Sequence, residues 1–217
     1  MGPTHGRSDL GTLGHRALTP WETSVRTSSG KTSLLNALVG GVLGGAGRRT
    51  DHERIITLED TAELQLDAAH VLRLETRPAT VDGTPAITMT DLVRTALRLR
   101  PDRLVLGEIR GAEVVDMLAA MNTGHSGSLS TCHANSTLDA LRRVESLVVQ
   151  HSPSWPLMAV RDTVHASLDV VVHVERRADG RREVNDVLEL MAPGSSGGHR
   201  ALVTNGHVSG ELLRSRT

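Results

Sequence analysis

Glu108 and Arg110 stand two residues apart just after a short apolar run, Leu104-Val105-Leu106, that has charge on both sides. Such a run reads as a buried central strand. Gly107 and Glu108 then fall at its carboxyl end, where open α/β sheets place their ligands. A carboxylate followed by a guanidinium at that position calls for a charged ligand, and a magnesium nucleotide fits the requirement. One helix further on comes a Gly/His/Ser-rich block running from Gly124 and His125 to His133. Its small residues, Gly124, Ser126, Gly127 and Ser128, predict a tight loop close to the ligand. His125 and His133 have no Cys or Glu companions at zinc-like spacing, which speaks against a zinc site.

A second chemical signal is Ser29-Gly30-Lys31-Thr32-Ser33, which opens the helical-looking Leu34 to Leu38 and holds the only lysine of the chain. Gly-Lys-Thr at a helix start is the end of a phosphate-binding loop. Backbone N–H groups and the helix N-terminus face the phosphates, Lys31 adds a point charge, and Thr32 can hold Mg²⁺. The full pattern G-x-x-x-x-G-K-[ST] asks for glycine where Val25 stands, and the loop often has further glycines where Arg26 and Ser28 stand. Valine suits a left-handed turn poorly. Two readings are open on this segment alone: a phosphate loop, or a polar helix N-cap at Ser28 or Ser29 with Lys31 in solvent.

The elements that must position these groups follow from periodicity and punctuation. Residues 1–24 have no period and read as loop or a disordered arm. A helix is predicted from Thr32 to about Val39 and a strand over residues 54–60, ending in Glu59 and Asp60. Further strands are expected at Val71 to Glu75, Leu104 to Ile109 and Gly127 to Cys132. Helices are expected from Thr90 to Leu99, from Ala112 to Met121, from Ser136 or Thr137 to about Val149, and from Pro156 to Leu168. Asp169 to Glu175 and Arg182 to Leu190 read as a hairpin around Asp179-Gly180, and Asn205-Gly206 marks a smaller one. Strands interleaved with helices predict an α/β fold with a mostly parallel sheet flanked by helices and a C-terminal antiparallel hairpin. The divisions are 1–24, a core over 25–192, and a Gly/Ser-rich tail over 193–217.

Composition narrows the function. At 217 residues the chain is one domain with a proper core. A net charge of −1 with no basic block argues against a duplex-binding protein. The single cysteine, Cys132, excludes an internal disulfide. No apolar segment approaches ~20 residues, so no transmembrane helix is expected. Phe and Tyr are absent, so a nucleobase cannot stack on either.

With these residues laid out, the chain resembles the type II/type IV secretion and pilus-assembly ATPases, nearest to the CpaF-like branch that drives Flp (tight adherence) pili. The resemblance rests on Ser29-Gly30-Lys31-Thr32, on the acidic box Ile56-Thr57-Leu58-Glu59-Asp60-Thr61-Ala62-Glu63-Leu64, on Leu106-Gly107-Glu108-Ile109-Arg110-Gly111, and on Thr123-Gly124-His125 through Thr131-Cys132-His133-Ala134-Asn135. It implies a RecA-like P-loop NTPase core that binds ATP and Mg²⁺ and works as a motor at the cytoplasmic side of the inner membrane, against a membrane platform protein. The same resemblance implies catalytic roles for Glu108, Glu59, Lys31 and Arg110, and metal contacts for Thr32 and Glu108. Ser29, Gly30, Lys31, Thr32, Ser33, Asp60, Arg77, His125 and His133 are the implied nucleotide-binding or nucleotide-sensing set. Relatives carry an N-terminal domain and a first core strand that residues 1–24 do not show. The expectation is therefore a truncated chain, ancestrally hexameric but itself monomeric or weakly associating. The alternative is a catalytically impaired fragment or paralogue with only a structural or interaction role.

Lys31→Ala tests the phosphate loop. Binding of a fluorescent ATP analogue with Mg²⁺ is expected in the micromolar range for the chain as it stands, and loss of that binding in the variant. Equal binding in both proteins would show that the loop does not hold the phosphates.

Overall fold

The computed structural model describes residues 17–21, 34–37, 53–66, 68–125, 127–192 and 198–212. Within them one nine-stranded sheet runs in the order β3-β2-β4-β5-β1-β6-β7-β8-β9. The strands are β1 (Ala17–Trp21), β2 (Ile55–Glu59), β3 (Val71–Glu75), β4 (Arg103–Leu106), β5 (Leu129–His133), β6 (Val170–Arg176), β7 (Arg182–Leu190), β8 (His199–Thr204) and β9 (His207–Val208). Four helices are α1 (Met89–Arg98), α2 (Glu113–Asn122), α3 (Thr137–His151) and α4 (Leu157–Ser167), and residues 34–37 are also helical. All pairings from β3 across to β6 are parallel, and those from β6 to β9 are antiparallel. The carboxyl ends of the parallel strands therefore share one edge.

The strand at Ala17–Trp21 corrects the reading of residues 1–24 as loop. β1 lies between β5 and β6, with Trp21 level with His133 on one side and Val174 on the other. Its five residues have neither an apolar run nor alternation, and they include Pro20, which has no N–H to give a ladder. Two flanking strands, both distant in sequence, supply the pairing, and no local pattern announces them. The antiparallel part is also larger than the expected hairpin, since β8 and β9 extend the sheet beyond residue 193. Asn205 and Gly206 both have positive φ (49° and 77°), as the two-residue turn predicted there requires.

Two faces of the sheet are covered differently. Ile56, Leu58, Leu104, Leu106, Cys132 and Val171 pack with the buried stripes of α1, α2, α3 and α4 into one apolar cluster. On the other face Ile55, Val105 and Leu129 pack with Leu35, Leu64 and Leu66, and Leu34 lies against Val170, Val172 and Val174. The helical residues 34–37 thus cover the face opposite the four long helices. Local signals set the helix starts: Thr88 and Asp91 form a reciprocal capping box for α1, which begins at Met89, one residue before the expected Thr90, and Ser136 caps α3.

At the amino edge of the sheet, Arg103 is buried and pairs with Glu53 through both ends of its guanidinium, at 2.5 and 3.0 Å. Gly127 lies directly over it with φ +81°, and a Cβ there would sit 1.8 Å from Arg103 Nη1. Gly127→Ala must expel Arg103 from its pair, an expected loss of about 3 kcal/mol in urea unfolding. Gly83→Ala is the control, because Gly83 also has positive φ (+89°) but nothing within 4 Å. Its expected cost is about 1 kcal/mol. Equal losses would refute the steric account.

Candidate active site

Just past β4 the chain leaves the regular ladder and is gripped from both neighbours. Gly107 N–H donates to the Leu58 carbonyl at 2.8 Å, and Ile109 N–H donates to the Thr131 carbonyl at 2.7 Å. The Thr131 hydroxyl donates to the Gly107 carbonyl. Glu108 lies between these anchored peptides at the carboxyl edge. Gly107 approaches β2 closely: a Cβ there would be a tight fit, 3.3 Å from Glu59 Cγ and 3.4 Å from the Leu58 carbonyl oxygen.

The Glu108 side chain is only 10% exposed, and basic side chains meet it from two sides. Arg110 Nη2 donates to Oε2 at 2.8 Å, and His133 Nε2 lies 2.9 Å from Oε1. Arg110 also reaches Asp60, with Nη1 3.2 Å from Oδ2, while Asp60 Oδ1 accepts from the Thr76 hydroxyl at 3.2 Å. The guanidinium is held above its ordinary pKa, first by the hydrogen bond to Glu108 and then by the charges of Glu108, Asp60 and Glu113, with burial opposing. It is a fixed cation at the edge of the site. Its backbone is fixed as well: Glu113, in the first turn of α2, accepts the N–H groups of Arg110 and Gly111 at 2.6 and 2.7 Å.

Glu59 is buried and has a different setting. Its Oε1 accepts the N–H groups of Glu63 and Leu64, both at 2.9 Å, so the carboxylate folds the acidic box back over the end of β2. Glu75 accepts the Ala62 N–H at 3.2 Å from the β3 side. The same loop reaches the helical residues 34–37, where Asn36 Oδ1 accepts the Gln65 N–H at 3.1 Å. The acidic box therefore bridges the strand ends and the helix that follows Lys31.

Of the residues singled out from the sequence, Glu108, Arg110, Asp60 and His133 come together at one place, with Glu59 beside them. Arg77 lies at the same edge, but its guanidinium donates to the Pro85 carbonyl at 3.2 Å. His125 does not join them. It precedes β5, and His133 ends that strand, about 13 Å beyond Leu129 at its start. Its Nδ1 lies 3.1 Å from the Ala120 carbonyl oxygen at the end of α2. The Gly/Ser turn expected near the ligand is likewise at the amino edge, where Gly127 faces Arg103. Ser29, Gly30, Lys31, Thr32 and Ser33 lie outside the described residues; β1 ends at Trp21, level with His133 at the carboxyl edge.

Thr131, Thr76 and Glu113 were not singled out from the sequence. Only Glu113, an acid in the first turn of a predicted helix, had a local signal. Among the described residues no group of three or more His, Cys, Asp or Glu side chains is arranged to hold a metal by itself. One carboxylate at the edge suits Mg²⁺, which keeps several waters and takes its other ligands from phosphate oxygens. Among the described residues no helix is long and apolar enough to cross a membrane.

The sequence profile of the family described as "Type II/IV secretion system protein" matches residues 24–200. The putative conjugal transfer protein Rv3659c of Mycobacterium tuberculosis is 42% identical over 164 residues, covering 76% of this chain and 44% of that protein. The type IV secretion system protein PtlH of Bordetella pertussis is 44% identical over 168 residues, covering 75% and 47%. Among solved structures, the VirB11 ATPase from the Brucella suis type IV secretion system, in complex with sulphate, superimposes with a TM-score of 0.68 at 31% identity, over 82% of this chain and 48% of that one. The chain thus spans about half the length of these relatives. It belongs to the type II/IV secretion system protein family.

Proposed function

We propose that this chain carries the ATP-hydrolysing core of a type IV secretion motor. The observation that carries the reading is the carboxylate of Glu108, set between Arg110 and His133 at the carboxyl edge of the parallel strands. Lys31 and the amides of Ser29 to Ser33 would hold the β- and γ-phosphates, and Thr32 and Glu108 would hold magnesium, the latter directly or through water. What magnesium supplies when bound is neutralisation of phosphate charge. Arg110 offers a fixed positive charge to the γ-phosphate, while Asp60 and His133 keep Arg110 and Glu108 in place. Arg77 and His125 would report nucleotide state to a neighbouring subunit rather than touch the phosphates.

The named relatives favour type IV secretion or conjugal transfer over a Flp pilus or a type II system. The sulphate of the Brucella suis protein supports an anion site in this fold. In this reading the motor acts at the cytoplasmic face of the inner membrane on a platform protein, as part of a homo-hexamer. One feature favours a second reading, a non-catalytic interaction role: Val25 stands where the phosphate loop asks for glycine. Nucleotide binding that appears only after Val25→Gly and Ser28→Gly would support it.

Glu108→Gln is expected to lower ATP turnover by about 100-fold or more while nucleotide affinity stays within about threefold. Unchanged turnover would overturn the assignment. Glu59 has two candidate tasks, orienting water and anchoring the acidic box. Glu59→Gln keeps an acceptor oxygen and is expected to keep the fold, whereas Glu59→Ala leaves two N–H groups unpaired at a cost of about 2 kcal/mol. Loss of turnover in the folded Gln variant would assign the water to Glu59. Full turnover there would leave Glu59 as a loop anchor only.

A further inference from the structure

Thr131 is 1% exposed in the middle of β5, a position where valine would fill the same volume without a polar atom. A buried hydroxyl is costly unless it is bonded, and this one is bonded to the Gly107 carbonyl. The backbone carbonyl of the same residue accepts the Ile109 N–H at 2.7 Å. The paired register of β4 and β5 covers only Val105 with Leu129 and Leu106 with Ser130. Beyond it, Thr131 holds both peptides flanking Glu108 from the β5 side. His133 is two residues further along β5, on the same side of the strand, and meets the carboxylate itself at 2.9 Å.

We propose that Thr131 is the positioning residue for Glu108, gripping residues 107 and 109 so that the carboxylate is presented at a fixed depth and angle. β5 then holds Glu108 twice, by its flanking peptides through Thr131 and by its carboxylate through His133. The inference rests on the reading of Glu108 as the group that serves the nucleotide-bound magnesium. Thr131 touches no reacting atom, so its effect falls on the chemical step and not on affinity for ATP.

Thr131→Val and Thr131→Ser in the whole chain test this, with steady-state ATP turnover and amide hydrogen exchange over residues 104–111 as separate readouts. The valine variant is expected to speed exchange of the Ile109 amide about 10-fold and to lower kcat about 10-fold with KM within about twofold. Serine, which keeps the hydroxyl, is expected to restore both. Unchanged exchange in the valine variant overturns the proposal, and so does a serine variant as impaired as valine, because the methyl group would then be what matters. If the valine variant does not fold, Thr131→Ala set against Thr131→Ser makes the same comparison. A chain that hydrolyses no ATP in any form would refute the functional reading, while the exchange result would still decide whether Thr131 fixes Glu108.

Discussion

Where the β4 ladder stops, three hydrogen bonds hold residues 107–109 against the sheet: one to Leu58 on β2, two to Thr131 on β5. The geometry of the site follows from that grip. Glu108 is turned to the edge with one carboxylate oxygen facing Arg110 and the other facing His133, and Arg110 is carried far enough to reach Asp60 at the end of β2. Because the peptides are anchored on two strands, the carboxylate has little freedom to follow a ligand. A site of this kind acts by being in place beforehand, the main requirement when the chemistry is phosphoryl transfer.

The sheet is used asymmetrically. Four helices seal one face with the larger apolar cluster, and so they set the rigid frame. The opposite face is covered, among the described residues, by the short helical segment after Lys31 and by the acidic-box loop, through Leu35, Leu64 and Leu66. This thinner cover joins the helical residues 34–37 to Glu59 through Asn36, Gln65 and the neighbouring Leu64. Movement of the helix that follows Lys31 would therefore reach the acidic box through side chains that already touch, while the frame behind stays packed.

Much of the candidate site was legible in the chain as residues that meet at one edge. Glu108 announced itself as a charge at the end of an apolar strand, and Glu59-Asp60 did so in the same way. The hairpin turn at Asn205-Gly206 was written in residues that accept positive φ. β1 was not legible, because Ala17–Trp21 has no period and contains a proline; it is a strand only through β5 and β6 on either side of it. The histidine block misled in one respect. Two histidines near in sequence suggested one site, but a strand runs between them, so His133 reaches Glu108 and His125 stays at the far edge.

The sequence by itself determined which residue types could do phosphoryl chemistry and which segments alternate or cycle, since these depend on neighbours within a few positions. Helix caps, turn types and the apolar stripes belong to the same class. Tertiary structure alone decided the partnerships: Thr131 with Gly107 and Ile109, Arg110 with Asp60, Arg103 beneath Gly127. Each of these closes a gap of 20 to 50 residues that no local pattern encodes. The physical reason is that parallel strands pair only across long crossovers, so the edge where their ends meet is assembled from residues that are strangers in sequence.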